Sequence, residues 1–151
     1  MTEKELLARK IENGTVIDHI SAGKGLKVVQ IAGLENESKE TMILLINVSS
    51  KQLGKKDIVK IENRELAREE IDKISLITPE ATINIIRNGE VVEKKRLEIP
   101  DMIEKILRCP NSNCITNENE PVKTKFLIQK EPLELKCWFC ERSFGIEEFK
   151  I

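Results

Sequence analysis

From residue 15 to residue 96 the apolar positions change period several times, and each change predicts an element. Thr15 to Ile20 is rich in β-branched residues and predicts a strand. Lys24 to Leu34 shifts to a helical repeat, with Leu26, Val29 and Ala32 or Gly33 expected on one face. The polar run Glu35 to Glu40 predicts a turn, and the nearly continuous apolar stretch Thr41 to Val48 a strand. A loop containing Gly54 leads to a further strand, Asp57 to Glu62, whose alternation sends Val59 and Ile61 inward and Lys60 to the open face. Asn63 is the expected N-cap of a helix in which Ala67, Ile71, Ile74 and Ile77 recur at helical spacing until Pro79. Strands from Ala81 to Arg87 and Glu90 to Arg96 flank Asn88-Gly89, a strong hairpin signal.

The order is strand, helix, strand, strand, helix, strand, with one extra hairpin strand. It predicts an α+β domain: a ferredoxin-like antiparallel sheet with helices on one face. This fold hosts many functions, so it does not decide one. Glu98 to Asp101 reads as a connection, followed by a short helical piece through Leu107. Beyond it, Lys125 to Lys130, Leu133 to Cys137 and Ser143 to Phe149 predict a second, small all-β sheet. The expected domains are therefore residues 1–99 and 100–151, after a polar amphipathic start.

All 4 cysteines of the 151 residues lie in the second part, as Cys109-x4-Cys114 and Cys137-x2-Cys140. Two short pairs separated by residues 115–136 leave room for a strand, a turn and a returning strand that brings them together. This pattern predicts a zinc ribbon of the rubredoxin-like kind, with one Zn2+ on Cys109, Cys114, Cys137 and Cys140. Four thiolates leave no open coordination position, so the metal is expected to be structural. So short a segment buries little apolar surface, and metal binding supplies on the order of 10 kcal/mol of folding free energy instead. Disulfides fit less well, because the pairs are close and no charged-then-apolar leader is present. A redox Cys-x-x-Cys fits less well too, since Trp138-Phe139 between the thiols does not open a helix. Reduced cysteines and the missing leader lead to the expectation of a cytoplasmic protein; no apolar run is long enough to span a bilayer, and charges interrupt every candidate.

Lys and Arg total 25 against 26 Asp and Glu, which argues against a general electrostatic grip on nucleic acid. The basic footprint of a nucleic-acid reader is missing from the segment beyond Cys109 as well. A zinc-ribbon nucleic-acid-binding or transcription-associated protein is therefore the rival reading rather than the first. Catalysis has little support: His19, beside Asp18, is the single histidine, and every cysteine is assigned to the metal. Ala22-Gly-Lys-Gly25 lacks the pattern of a phosphate loop, so hydrolysis of a nucleoside triphosphate is not expected. What remains is a pair of strand lysines, Lys60 and Lys94, that could clamp a triphosphate without hydrolysing it.

Four strings, Gly14-Thr-Val-Ile-Asp-His-Ile20, Gly54-Lys-Lys-Asp-Ile-Val-Lys-Ile-Glu-Asn63, Pro79-Glu-Ala-Thr-Ile-Asn84 and Arg108-Cys-Pro-Asn-Ser-Asn-Cys-Ile115, occur in order along the chain. Together they resemble the regulatory chains of aspartate carbamoyltransferase over essentially the whole length. The resemblance implies a chain without catalytic activity, acting at the committed step of pyrimidine biosynthesis. It further implies an N-terminal domain that binds the effectors CTP or ATP and pairs with its counterpart in a homodimer, and a zinc domain that docks on the catalytic chain. Carried over by position, nucleotide contacts fall on Asp18, His19, Lys60 and Lys94, with Ile11, Val16, Asn84, Ile86 and Val91 lining the same region. Asn111 and Asn113, inside the first cysteine loop, become candidates for contact with the catalytic chain.

Overall fold

The computed structural model describes residues 11–34, 39–51, 54–118 and 122–150. The amphipathic start and residues 35–38 of the predicted turn lie outside them. The chain forms two compact units, Met1–Leu97 and Glu98–Ile151.

The first unit is a five-stranded antiparallel sheet in the order β2-β3-β1-β4-β5, with β1 Gly14–Ser21, β2 Met42–Ser50, β3 Gly54–Glu62, β4 Thr82–Arg87 and β5 Glu90–Arg96. Helix α1, Gly25–Val29, continues into a π-helical turn, Gln30–Leu34, and rests on β2 and β3. Helix α2, Arg68–Ile77, touches both α1 and that turn, so the helices share one face of the sheet. This is the ferredoxin-like arrangement the pattern predicts. The core between sheet and helices holds Ile17, Ile20, Val28, Ile31, Val59, Ile61, Ile74 and Ile83. Asn88 and Gly89 both adopt positive φ (54° and 78°), as a two-residue hairpin turn requires.

Several local expectations are corrected. In α1 the buried residues are Gly25 and Val28, whereas Leu26 is 56% exposed and Val29 half-buried, and Ile31 extends the buried stripe. The expected Ala32 and Gly33 are buried, and Gly25, Val28 and Ala32 keep helical spacing, so the face departs from the expectation only at Leu26 and Val29. Gly54 opens β3 instead of lying in a loop. Asn63 does not cap α2: it sits at the end of β3 with φ 57°, and Ala67 is the N-cap. The role of a capping side chain falls to Glu70, whose carboxylate accepts from the Ala67 N–H at 3.0 Å and from Arg64 at 2.6 Å. A second Arg64 nitrogen donates to the Ala32 carbonyl, so one guanidinium fastens the π-helical turn to the start of α2.

The second unit is a four-stranded antiparallel sheet, β6-β7-β8-β9, formed by β6 Met102–Glu104, β7 Lys125–Lys130, β8 Leu133–Cys137 and β9 Ser143–Phe144. The predicted helical piece before Cys109 is instead β6. Met102 and Glu104 are exposed while Ile103 is buried, a period of two that pairs Ile103 with Phe126. The predicted strand Ser143 to Phe149 stops after Phe144, and residues 146–148 form a 3₁₀ turn. That turn tucks Phe149 edge-on against Phe126 and Phe144, at ring separations of 5.2 and 5.9 Å, making a small aromatic core.

Candidate functional site

The face of the first sheet turned away from the helices carries a cavity of about 510 Å³, within the range of small-ligand sites. Strand register explains its lining, because residues directly opposite one another in an antiparallel ladder point to the same face. Lys60 pairs with Val16, Val16 with Asn84, and Asn84 with Lys94, so one cross-strand row sets a lysine at each end of an apolar and an amide side chain. Two residues along, Gly14, Ile86 and Val91 form a neighbouring row, and Ile11 joins Ile86 and Val91 at this apolar end. In the opposite direction lie Asp18 and Thr82, with His19 and Lys56. All nine residues singled out from sequence, Ile11, Val16, Asp18, His19, Lys60, Asn84, Ile86, Val91 and Lys94, therefore line one cavity.

A bulge shapes the polar end. The β1–β3 register shifts between Ile17 and Ile20, and His19 takes φ 56° inside that break. The extra residue lets Asp18 and the adjacent His19 both line the cavity, which strict alternation would forbid. The Asp18 carboxylate accepts from the His19 N–H at 2.6 Å, and His19 Nδ1 lies 3.1 Å from Thr82 Oγ1. Lys56 Nζ is 2.9 Å from Asp18. Burial pushes the Lys60 ammonium below the ordinary lysine value, and the charge of Asp18 opposes that shift in part. On the helix side of β3, buried Asp57 accepts from Gly23 at 3.1 Å, Gly25 at 2.9 Å and Asn47 at 3.0 Å, fixing the strand that carries Lys56 and Lys60.

Sequence reasoning missed Lys56, Ile58 and Thr82 in this lining. Lys56 keeps the alternation of Ile58 and Lys60 but precedes Asp57, where the predicted strand begins; β3 in fact starts at Gly54. Gly89 also borders the cavity, and its N–H donates to the Glu12 carbonyl at 2.8 Å, closing the apolar end with backbone.

In the second unit the four Sγ atoms of Cys109, Cys114, Cys137 and Cys140 lie within 4.8 Å of one another. Cys109 and Cys140 are 3.8 Å apart, and Cys114 and Cys137 3.7 Å. A tetrahedron with metal–sulfur bonds of about 2.3 Å has sulfur–sulfur edges of about 3.8 Å, so the donor set fits a four-thiolate metal centre. Burial raises the Cys109 thiol, whereas Cys140, though also opposed by burial, is brought down to about 7 by hydrogen bonds from the Arg142 backbone, Asn111 and the neighbouring thiols. A bound cation would favour the thiolate at every position.

The loops around the sulfurs are held from outside. Thr116 donates to Cys114 Sγ at 3.2 Å, and Asn117 Nδ2 donates to the carbonyls of Cys109 and Asn111 at 2.9 and 2.7 Å. Asn111 accepts from the Asn113 N–H at 3.1 Å, so its side chain serves the turn, while Asn113 is exposed.

Comparison with known proteins agrees with this division. Residues 6–98 match the family model described as aspartate carbamoyltransferase regulatory chain, allosteric domain, and residues 101–150 match the one described as the metal binding domain of that chain. A protein named aspartate carbamoyltransferase regulatory chain in Methanocaldococcus jannaschii is 57% identical over 141 residues, covering 92% of each chain. Its namesake in Pyrococcus horikoshii is 56% identical over 146 residues, covering 95% of each. The one in Methanothrix thermoacetophila is 51% identical over 143 residues, covering 94% of this chain and 93% of the relative.

Proposed function

The chain belongs to the family of aspartate carbamoyltransferase regulatory chains, non-catalytic subunits of that enzyme, and from this we propose that it senses CTP and ATP in the cavity of its first unit. One observation carries the reading: residues distant in sequence, from Ile11 to Lys94, line a single cavity with an apolar end, a lysine on each flank and a polar end. The base lies against Ile11, Ile86 and Val91. Asp18 accepts from a ribose hydroxyl or base amino group, His19 donates toward ribose or phosphate, and Lys60 and Lys94 neutralise the phosphates. Asn84 and Val16 form the floor.

Residues 100–151 hold one structural Zn2+ on Cys109, Cys114, Cys137 and Cys140 and dock on the catalytic chain. Four thiolates in tetrahedral spacing favour zinc over the oxygen-seeking divalent cations. Exposed Ile115, Trp138 and Phe139 on or beside the cysteine loops, together with Asn111 and Asn113, supply the contact surface. Residues 1–99 pair with a second copy, a role supported by β2, which lies at the sheet edge and leaves Ile46 57% exposed. The site of action is the cytoplasm, at the committed step of pyrimidine biosynthesis.

Regulation follows only if nucleotide binds the two quaternary states unequally, with coupling of about 1–3 kcal/mol. The test is titration calorimetry of CTP and ATP with the assembled enzyme. Lys60→Ala and Lys94→Ala are each expected to weaken binding by about tenfold or more, as for loss of a charge-assisted contact. The aspartate saturation curve of the holoenzyme should also lose its response to CTP. Unchanged affinity in both variants would remove the effector role from this cavity. Nucleic-acid binding is not favoured, since the chain is nearly neutral at −1.

A further inference from the structure

We propose that the second unit carries a basic concavity, separate from the cysteine loops' apolar surface, that receives carboxylate side chains of the catalytic chain; it rests on the docking role assigned to this unit above. The concavity, about 610 Å³, is bordered by Lys105, Arg108 and Lys123, all exposed. Among the described residues no carboxylate and no cysteine lines it. Among the described residues none of these three cations forms an ion pair, whereas Lys125 and Lys130 of the same unit do, with Glu104 and Asp101. Within a unit whose charges nearly balance, the described lining thus brings three cations together.

The backbone holds these charges in place. Lys105 stands just past β6 with φ 70°, and its N–H donates to the Thr124 carbonyl at 2.9 Å, which fixes it opposite the segment carrying Lys123. Arg108 Nε donates at 3.0 Å to Asn117 Oδ1, and Asn117 is itself bonded to the first cysteine loop. The guanidinium is therefore anchored to the metal-binding framework, with little freedom left to lose on association. Ile106 and Leu107 add an apolar floor suited to the methylenes of a glutamate.

Exposure of all three cations decides the kind of occupant. A small free anion would remain solvated and screened there, and would be held weakly. A protein surface brings its own cover, lowering the local dielectric so that the same charges contribute to specificity and to the rate of encounter. A nucleic acid would need a longer basic track than one concavity in a chain of net charge −1.

The experiment uses full-length Lys105→Asn/Lys123→Glu chain and the intact catalytic chain. Asparagine tolerates the positive φ at 105, and metal stoichiometry and nucleotide affinity report that both units remain folded. Assembly at low ionic strength is expected to weaken by about tenfold or more, and the difference from wild type to vanish near about 0.5 M salt, where surface charges are screened. Wild-type affinity with wild-type salt dependence would overturn the proposal. So would displacement of the catalytic chain from the wild type by inorganic phosphate, or by a single-stranded oligonucleotide, at constant ionic strength. Failure of the docking role itself would look different: the metal-free chain would still assemble.

Discussion

At the scale of single residues, Lys60 connects environment to ligand. Its ammonium lies in a partly dehydrated row between strands, and burial holds its pKa below 10.5, the ordinary lysine value, with Asp18 pulling in the opposite direction. Below that lowered pKa the group is charged in folded and unfolded chains alike, so folding bears the desolvation cost. As pH rises from the folded pKa toward 10.5 the cost is relieved, and this residue's contribution to stability becomes more favourable. Nucleotide affinity has the opposite trend. Phosphate oxygens favour the charged form, so binding takes up a proton in the window above the free-state pKa, and affinity falls as pH rises through it. Calorimetry in two buffers of different ionisation enthalpy is expected to register this uptake, and Lys60→Arg, which stays protonated, should abolish it and extend binding to higher pH. Lys60 was legible from alternation alone. Lys56 was not, because the predicted strand begins at Asp57, whereas pairing with β1 and β2 extends β3 back to Gly54.

At the scale of elements, β1 organises the first unit. It pairs with β3 on one side and β4 on the other, and so joins the two lysine-bearing halves of the cavity. Gly14, at φ 142°, opens it. A Cβ at this position would collide with the Ile61 carbonyl oxygen and press on the Asn63 nitrogen and the Ile11 side chain. Gly14→Ala is therefore expected to destabilise the first unit by roughly 2–4 kcal/mol, combining backbone strain with a disturbed ladder. Chemical denaturation monitored within this unit checks the loss, while metal content should be unchanged. The strands themselves were legible because β-branched clusters and Asn88-Gly89 are local signals. Elements whose form depends on a partner were not: β6 is a strand through its pairing with β7, Ile103 opposite Phe126, and the π-helical turn after α1 is braced by Arg64 from a distant part of the chain.

At the scale of the whole molecule, the two units draw stability from different sources. The first has a continuous aliphatic core between sheet and helices. Among the described residues the second encloses little beyond Ile103, Leu107, Phe126, Leu135, Phe144, Phe149 and its sulfurs, so metal binding is expected to supply much of its folding free energy. Chelation is expected to unfold residues 100–151 and abolish assembly with the catalytic chain, while nucleotide binding by the first unit persists. Hydrogen exchange read unit by unit, together with calorimetry of the chelated chain, checks both halves of that outcome. Normal assembly of the metal-free chain would refute the separation of roles.

By itself the sequence determined the order of elements in the first unit, the ferredoxin-like topology and the four-cysteine centre, because periodicity, turn residues and paired thiols are written locally, while the four strings carried the resemblance to the family. It also supplied nine of the residues that line the cavity, though as positions in strings rather than as a surface. Tertiary structure decided how those residues meet. Cross-strand register aligned Lys60, Val16, Asn84 and Lys94 in one row, and the bulge at His19 let Asp18 and its neighbour both line the cavity. It also gathered Lys105, Arg108 and Lys123 into one concavity within a nearly neutral unit. Charge totals and spacing carry no record of such proximity, since it arises from hydrogen bonds between segments far apart in the chain.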